Sequence, residues 1–259
     1  MKSLDLLIID IDDTFIYHRT VAIANKLFLD CFYSLFGLKL KKGFYTTSRS
    51  LFLMIKLIIF NFFRFNPTRK NIKKLFVFSF VAIYLYVFNF FRELVKGFKI
   101  VSCEKMDILW AKVIIYLGIS EKEYLLSKSI VSSRINKKVL AKLNLIKKLN
   151  PKMKVLAITQ SFSVKEDNIK DVLYVDKVVS NRFFVSKGVI NGFRLNVKSG
   201  FDKKKIAFDY IKQNKAKGIG LFIEDYDDLE LLKLKGIEFV YYKRKLRKFV
   251  KGNYEKISF

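Results

Sequence analysis

Three stretches of the chain differ in how apolar and polar residues alternate. Residues 4–16 are a short apolar run that ends in acids, and residues 17–137 are rich in Phe, Leu, Ile and Lys. Residues 138–259 alternate helix-like and strand-like patterns. Strands that alternate with helices predict a mostly parallel sheet covered on both faces, so the expected fold class is α/β.

The last stretch carries the clearest periodic signals. Helical spacing predicts a helix over 138–149 that stops at Asn150-Pro151, and a second over 202–213 with Asp202 as its N-cap. The run 6–9 predicts one further central strand, far away in sequence. Short apolar runs predict the other strands: 155–158, 178–179, a hairpin over 182–195 with its turn at Lys187-Gly188, 219–223 and 237–241.

This organisation predicts a core made of residues 1–16 and 138–259, with residues 17–137 as an insert. Two strongly apolar runs lie in the insert, at 51–63 and 75–91. The second would span roughly 25 Å as a helix, at the lower limit for crossing a bilayer. The loop between them is rich in Lys and Arg, which is the wrong sign for a translocated loop. We therefore expect these runs to lie in a membrane interface or to pack against other helices.

Composition narrows the classes of function. The chain has 259 residues, of which 50 are Lys or Arg and 23 are Asp or Glu, so its net charge is +27. A hydrophobic content of 51% excludes a disordered chain. Two cysteines and one histidine cannot build a disulfide framework, a zinc cluster or a set of His-based catalytic groups. The charge favours anionic partners, although a solvated lysine-rich surface explains it equally well.

Acids directly follow two of the predicted strands. Asp10 and Asp12 follow the run 6–9, and the cluster 224–228 follows the run 219–223. The carboxyl ends of parallel strands lie at one edge of a sheet, where ligands bind. Crowded carboxylates need a counter-charge, and oxygen ligands without Cys or His favour Mg²⁺. The alternative is that each cluster is a polar turn after a buried strand.

Two further stretches suit an anionic ligand. Thr159-Gln160-Ser161 follows the strand predicted at 155–158, and hydroxyl and N–H groups there suit a phosphate oxygen. The run Lys203-Lys204-Lys205 lies in the first turn of a predicted helix and supplies positive charge. Taken singly, each is equally typical of a strand cap or a solvated lysine run.

Together these features resemble the haloacid dehalogenase-like hydrolase superfamily. Asp10-Ile11-Asp12-Asp13-Thr14 matches its DxDxT signature, and Thr159, a lysine at 203–205 and the cluster 224–228 fit its other three motifs in the same order. Residues 178–192 are similar to a hairpin of the phosphoserine phosphatase-like branch, with Asn181 in a substrate loop. The resemblance implies a three-layer Rossmann-like core with an inserted, mainly helical cap, here enlarged and apolar.

The resemblance also implies roles for individual residues. Asp10 would be the nucleophile that forms an aspartyl-phosphate, and Asp12 the general acid and base. Phosphate would be bound by Thr159, Gln160 and Lys203, with Lys204 and Lys205 as alternates. Mg²⁺ would be held by Asp10, Asp12 and Asp225, with Glu224 and Asp228 as alternates, because Glu224-Asp225 replaces the usual start of the fourth motif.

The function implied is a Mg²⁺-dependent phosphomonoester hydrolase acting on a lipid-like or otherwise apolar ester. The alternatives are a soluble phosphoserine phosphatase and a non-catalytic adaptor for a membrane surface or nucleic acid, for which there is no specific sequence signature. Expected partners are a phosphorylated small molecule or lipid and a peripheral membrane surface, with a homodimer through the cap left open. The basic residues of 243–251 suit a solvated end or contact with anionic lipid. Unpaired cysteines and the lack of a signal-like leader favour a cytoplasmic location, with attachment to the cytoplasmic membrane face left open.

Overall fold

The computed structural model describes residues 3–11, 103–116, 118–122, 124–125, 137–164, 174–252 and 254–258. These residues fall into two compact units. The first contains 3–11, 137–186 and 191–258, apart from the gaps just given, and the second contains 103–125 and 187–190. The apolar runs 51–63 and 75–91 lie outside the described residues, so the division into core and insert stays a prediction. No described helix is long and apolar enough to cross a bilayer.

Seven strands form one sheet in the order β4-β3-β2-β1-β5-β6-β7. Pairing is parallel between β1 and both of its neighbours, between β2 and β3, between β5 and β6, and between β6 and β7. The predicted α/β class with a mostly parallel sheet is therefore confirmed. The strands are β1 (Leu6–Asp10), β2 (Lys154–Ser163), β3 (Lys177–Ser186), β4 (Val189–Arg194), β5 (Ile219–Ile223), β6 (Ile237–Tyr242) and β7 (Glu255–Ser258).

Strand β1 is the middle strand of the seven, and every one of its residues is buried. A strand covered on both faces needs a continuous apolar run, and alternate side chains then enter opposite cores. Leu7 and Ile9 lie in one core, and Leu6 and Ile8 lie in the other. Each side chain buried in this way contributes roughly 1.5–3 kcal/mol to stability.

Within the described residues, three α-helices and two 3-10 helices accompany the sheet. They are α1 (Cys103–Tyr116), α2 (Lys137–Leu149), α3 (Gly200–Asn214) and the 3-10 helices Tyr226–Lys233 and Arg244–Leu246. Helix α2 contributes to the core that contains Ile9, and α3 to the core that contains Ile8, so the first unit has three layers. In the second unit, α1 buries Trp110 and Ile114.

Helix α3 corrects the predicted start of this element. The N-cap is Ser199, whose Oγ accepts a hydrogen bond from the backbone N–H of Asp202. Asp202 instead lies in the first turn, where its carboxylate accepts from the backbone N–H of Lys198 at 3.0 Å. The prediction of Asp202 as N-cap was wrong because Ser199 is an equally good cap, and an acid inside the first turn is favourable too.

Strand β2 is longer than predicted, since it continues from Ile158 to Ser163. Its pairing with β1 ends at Asp10 and Ile158, while its pairing with β3 resumes at Phe162 after a shift of register. The Phe162 ring stacks on that of Phe183 with centroids 4.4 Å apart, which holds the second half of the strand in place. Thr159, Gln160 and Ser161 therefore lie within an irregular part of a strand and do not follow its end.

Candidate active site

The two acidic clusters meet at the carboxyl edge of the sheet, as the parallel topology predicts. Asp10 is the last residue of β1, and Glu224 is the first residue after β5. Ile9 pairs with Phe222 on the neighbouring strand. Asp10 is one residue beyond this pair and Glu224 is two residues beyond it, so both acids lie at the same edge of the sheet. Both side chains are buried, with residue exposures of 5% and 1%.

Lys203 joins two of the carboxylates. Its Nζ lies 2.6 Å from Oδ1 of Asp228 and 3.3 Å from Oδ1 of Asp10, and its side chain is almost fully buried. Among the three lysines that fit the motif, the structure brings Lys203 to the acids, whereas Lys204 is half-buried and Lys205 is exposed. A helix directs successive side chains about 100° apart, so only one of three adjacent lysines can face the sheet edge.

Burial alone would lower the pKa of the Lys203 ammonium, because it penalises the charged form. The carboxylates of Asp10 and Asp228 outweigh this effect and raise the pKa of Lys203 above its usual range. Lys203 is therefore positively charged beside Asp10 at neutral pH.

Asp228 orders the loop that follows β5. Its Oδ2 accepts the backbone N–H groups of Glu224 at 2.9 Å and Asp225 at 3.0 Å, while its Oδ1 faces Lys203. Asp225 is the N-cap of the 3-10 helix Tyr226–Lys233, and its Oδ1 accepts the N–H of Tyr226 at 2.8 Å. The two acids form a reciprocal capping box, which fixes the backbone beside Glu224.

Glu224 has lysine partners that sequence reasoning missed. Its Oε1 accepts from Nζ of Lys243 at 2.7 Å and Nζ of Lys245 at 3.1 Å. Lys245 also approaches Oδ1 of Asp225 at 3.4 Å. In the sequence, both lysines belong to the basic segment 243–251. The signal that could have found Lys243 is its position directly after β6, a parallel strand beside β5.

Thr159 and Gln160 lie on β2, beside β1. Thr159 is buried, and its Oγ1 accepts from the backbone N–H of Ser161 at 3.1 Å. The Nε2 of Gln160 is buried, and within the described part of the chain it has no hydrogen-bond partner. A buried donor without a partner is costly, and an incoming anionic oxygen would satisfy it.

Asn181 braces this region with its whole amide group. Its Nδ2 donates to the carbonyls of Gln160 at 2.7 Å and Val197 at 3.0 Å. Its Oδ1 accepts the N–H groups of Asn196 and Val197 at 2.8 and 2.9 Å. Asn181 thus ties β2 and β3 to the loop that leads into α3. Its predicted place in a substrate loop stays a prediction.

Asp12 lies outside the described residues, so the structure does not place it. Among the described residues no three Asp, Glu, Cys or His side chains form a cluster suited to a metal. Asp10 and Glu224 nevertheless supply hard carboxylate oxygens at one edge, which is the donor chemistry that Mg²⁺ prefers. With Asp225 and Asp228 these acids make four carboxylates. The described lysines that pair with them supply three ammonium groups, from Lys203, Lys243 and Lys245, so one negative charge remains in excess. The donor chemistry fits a divalent cation, with Asp12 still to be added.

Comparison with solved structures identifies the fold. A substrate-bound phosphoserine phosphatase aligns over 99% of this chain and 94% of its own, with 12% identity and a TM-score of 0.58. A protein of unknown function from Bordetella pertussis Tohama I aligns over 99% of both chains, with 10% identity and a TM-score of 0.58. A haloacid dehalogenase family hydrolase from Salmonella enterica serovar Typhi gives 13% identity and a TM-score of 0.52 over 97% of this chain and 66% of its own.

No protein-family model and no curated protein matches the chain. The structural likeness confirms the predicted resemblance at the level of the fold. The chain has the fold of the haloacid dehalogenase-like hydrolases, and the phosphoserine phosphatases are prominent among its structural neighbours.

Proposed function

We propose that the protein is a Mg²⁺-dependent phosphomonoester hydrolase that works through an aspartyl-phosphate at Asp10. The observation that carries the proposal is the buried Lys203, which contacts both Asp10 and Asp228 at the carboxyl edge of a parallel sheet. Phosphoryl transfer depends mainly on positioning and charge stabilisation, and this arrangement supplies both.

The chemistry divides into two displacements at phosphorus. A carboxylate oxygen of Asp10 attacks the phosphorus while the ester oxygen leaves with a proton from Asp12. Asp12 then takes a proton from water, which attacks the aspartyl-phosphate and regenerates Asp10. Lys203, as a cation at neutral pH, neutralises phosphoryl oxygens, and Thr159 and the unpartnered Nε2 of Gln160 bind others.

For the metal we favour Glu224 over Asp225 as the ligand from the second cluster. Asp225 is already used as a helix cap, and Asp228 is bound by Lys203 and two backbone N–H groups. Glu224 is the buried acid that directly follows β5, and it lies one residue further beyond the Ile9–Phe222 pair than Asp10 does. Its partners, Lys243 and Lys245, are partly exposed side chains that can turn to solvent when a cation binds. Asp10, the backbone carbonyl of Asp12 and Glu224 would hold Mg²⁺. The ion would supply positive charge to the transferring phosphoryl group.

For the substrate we propose a lipid-like or otherwise apolar phosphate ester. The support is the strongly apolar insert within a chain of net charge +27. The alternative is a soluble phosphoserine phosphatase, which the named structural neighbours favour. A comparison of hydrolysis rates for esters presented in micelles and esters free in water distinguishes these two substrate classes.

The test is phosphate release with Mg²⁺ from phosphoserine, from p-nitrophenyl phosphate and from phosphatidate in mixed micelles. We expect phosphatidate to give the highest kcat/KM. The variant Asp10→Asn should lose activity by at least ~10³-fold, because an amide does not attack phosphorus at a useful rate. Asp209→Asn, which changes an exposed acid on α3, is the matched control and should retain activity. Turnover by purified Asp10→Asn at the wild-type rate would exclude the covalent mechanism.

A further inference from the structure

The segment 243–251 presents a strongly basic surface. Four of its cationic side chains are exposed and have no part in the site described above: Arg244, Arg247, Lys248 and Lys251. Leu246 and Val250, on the same segment, are buried in the core of the first unit. The segment is therefore folded onto the protein with its cations directed outward, and it is not a loose chain end.

Two exposed aromatic rings lie within this basic surface. Tyr226 is 42% exposed and Phe249 is 51% exposed. Their ring centroids are 5.6 Å apart in an edge-to-face arrangement. Phe249 is held outward because the residues three before it and one after it are anchored in the core, and its N–H donates to the carbonyl of Leu246 at 2.8 Å. We call the two rings and the four cations the rim patch.

The rim patch adjoins the acids of the active site. Lys245 lies with its Nζ 5.8 Å from the centre of the Tyr226 ring and 3.1 Å from Oε1 of Glu224. Tyr226 itself follows Asp225, whose side chain caps the same 3-10 helix. A surface that binds the rim patch would therefore lie close to Glu224 and Asp225 at the candidate catalytic edge.

We propose that the rim patch docks the protein onto an anionic phospholipid bilayer. Exposed aromatic rings favour the boundary between headgroups and acyl chains, and basic side chains beside them are attracted to anionic headgroups. A single-stranded nucleic acid fits less well, because stacking of bases needs open ring faces and Tyr226 already contacts both Phe249 and Lys245. The choice of a lipid surface rests on the proposed function, whereas docking itself requires no turnover.

The experiment is co-sedimentation of the full-length protein with phosphatidylcholine vesicles, with and without phosphatidylserine. We expect binding only when phosphatidylserine is present, and we expect added salt to weaken it. Phe249→Ala and the double variant Arg247→Ala/Lys248→Ala should each lower the partition coefficient on the order of tenfold.

Helix α3 provides matched controls. Phe208 is 57% exposed, and Lys205 and Lys212 are exposed on the same helix. Phe208→Ala and Lys205→Ala/Lys212→Ala make the same chemical changes at residues outside the rim patch and should leave vesicle binding within about twofold of wild type. Thermal unfolding of each variant shows whether it is folded.

Several outcomes would overturn the inference. Wild-type protein that ignores anionic vesicles, or patch variants that bind as wild type does, would exclude the rim patch as the docking surface. Equal losses in the patch and control variants would show a diffuse charge effect. Patch variants that lose binding to a single-stranded RNA but keep vesicle binding would assign the surface to nucleic acid. Hydrolysis of p-nitrophenyl phosphate, measured in parallel, reports on the proposed function separately.

Discussion

The Nζ of Lys203 lies 3.3 Å from Oδ1 of Asp10, and both side chains are buried at the carboxyl edge of the sheet. The distance places a positive charge beside the residue proposed to attack phosphorus. The same ammonium neutralises Asp228, which orders the loop carrying Glu224. The order of this edge and the proposed catalysis therefore both depend on this one lysine.

Lys203→Met should impair stability and activity together. Removal of one partner from a buried ionic cluster typically costs 3–5 kcal/mol, because the remaining charges are left without compensation. We expect a loss of about 3 kcal/mol in the free energy of unfolding, measured by urea denaturation. Lys204→Met, at the next position of the same helix, should change it by less than about 0.5 kcal/mol. Equal stabilities of the two variants would contradict the central position given to Lys203.

Glu224→Gln should weaken metal binding more than Asp225→Asn does. A carboxylate is a strong ligand for Mg²⁺ and an uncharged amide is a weak one, so loss of the true ligand should lower affinity by at least ~10-fold. Isothermal titration with Mg²⁺ or Mn²⁺ measures this directly. A larger loss for Asp225→Asn would restore the assignment first made from the sequence. The absence of metal binding in wild type would remove the metal from the proposal altogether.

Gly200→Ala should destabilise the protein although the residue lies in a helix. A Cβ at this position would be 2.0 Å from the backbone carbonyl oxygen of Asp227, so α3 and the 3-10 helix would have to move apart. Overpacking of this kind costs roughly 1–3 kcal/mol, which exceeds the gain of up to ~1 kcal/mol that alanine brings to a helix interior. Chemical denaturation measures the net change in the free energy of unfolding. Increased stability would show that the two elements are not closely packed.

Asp5 should make stability depend on pH in the acid range. The backbone N–H groups of Gly218 and Lys217 donate to its carboxylate, at 3.0 and 2.8 Å, and lower the pKa of Asp5. A lowered pKa in the folded state means that the contribution is fully present above the unfolded-state value and is lost as pH falls through the folded-state value.

Asp5→Asn should therefore lower the free energy of unfolding at neutral pH. The difference in this free energy between wild type and variant should become smaller as pH falls towards about 3. Urea midpoints measured across this range test the prediction. Asp209→Asn is the control, since Asp209 is an exposed acid on α3 with no hydrogen bond to these amides. If the urea midpoints of wild type and Asp5→Asn differed by the same amount at every pH, the prediction would be wrong.

Much of the central sheet follows from local pattern. The runs 6–9 and 219–223 are short continuous apolar segments, which are typical of strands buried on both faces. Parallel strands share a carboxyl edge, so the convergence of Asp10 with the cluster 224–228 could be predicted before any coordinates. The turn at Lys187-Gly188 was predictable as well, and both residues have positive φ.

Choices within each cluster depended on tertiary contacts. Three adjacent lysines are equivalent in sequence, and only the packing of α3 decides that Lys203 faces Asp10 and Asp228. Glu224, Asp225 and Asp228 are likewise all acids after one strand, and their separate roles come from the 3-10 helix that Asp225 caps. The pairing of Lys243 with Glu224 joins the residues that directly follow two neighbouring strands, β6 and β5. Sequence by itself determined the elements and the edge at which they meet, because these depend on local periodicity. Tertiary structure decided which charge meets which, because ion pairing depends on distances across the fold.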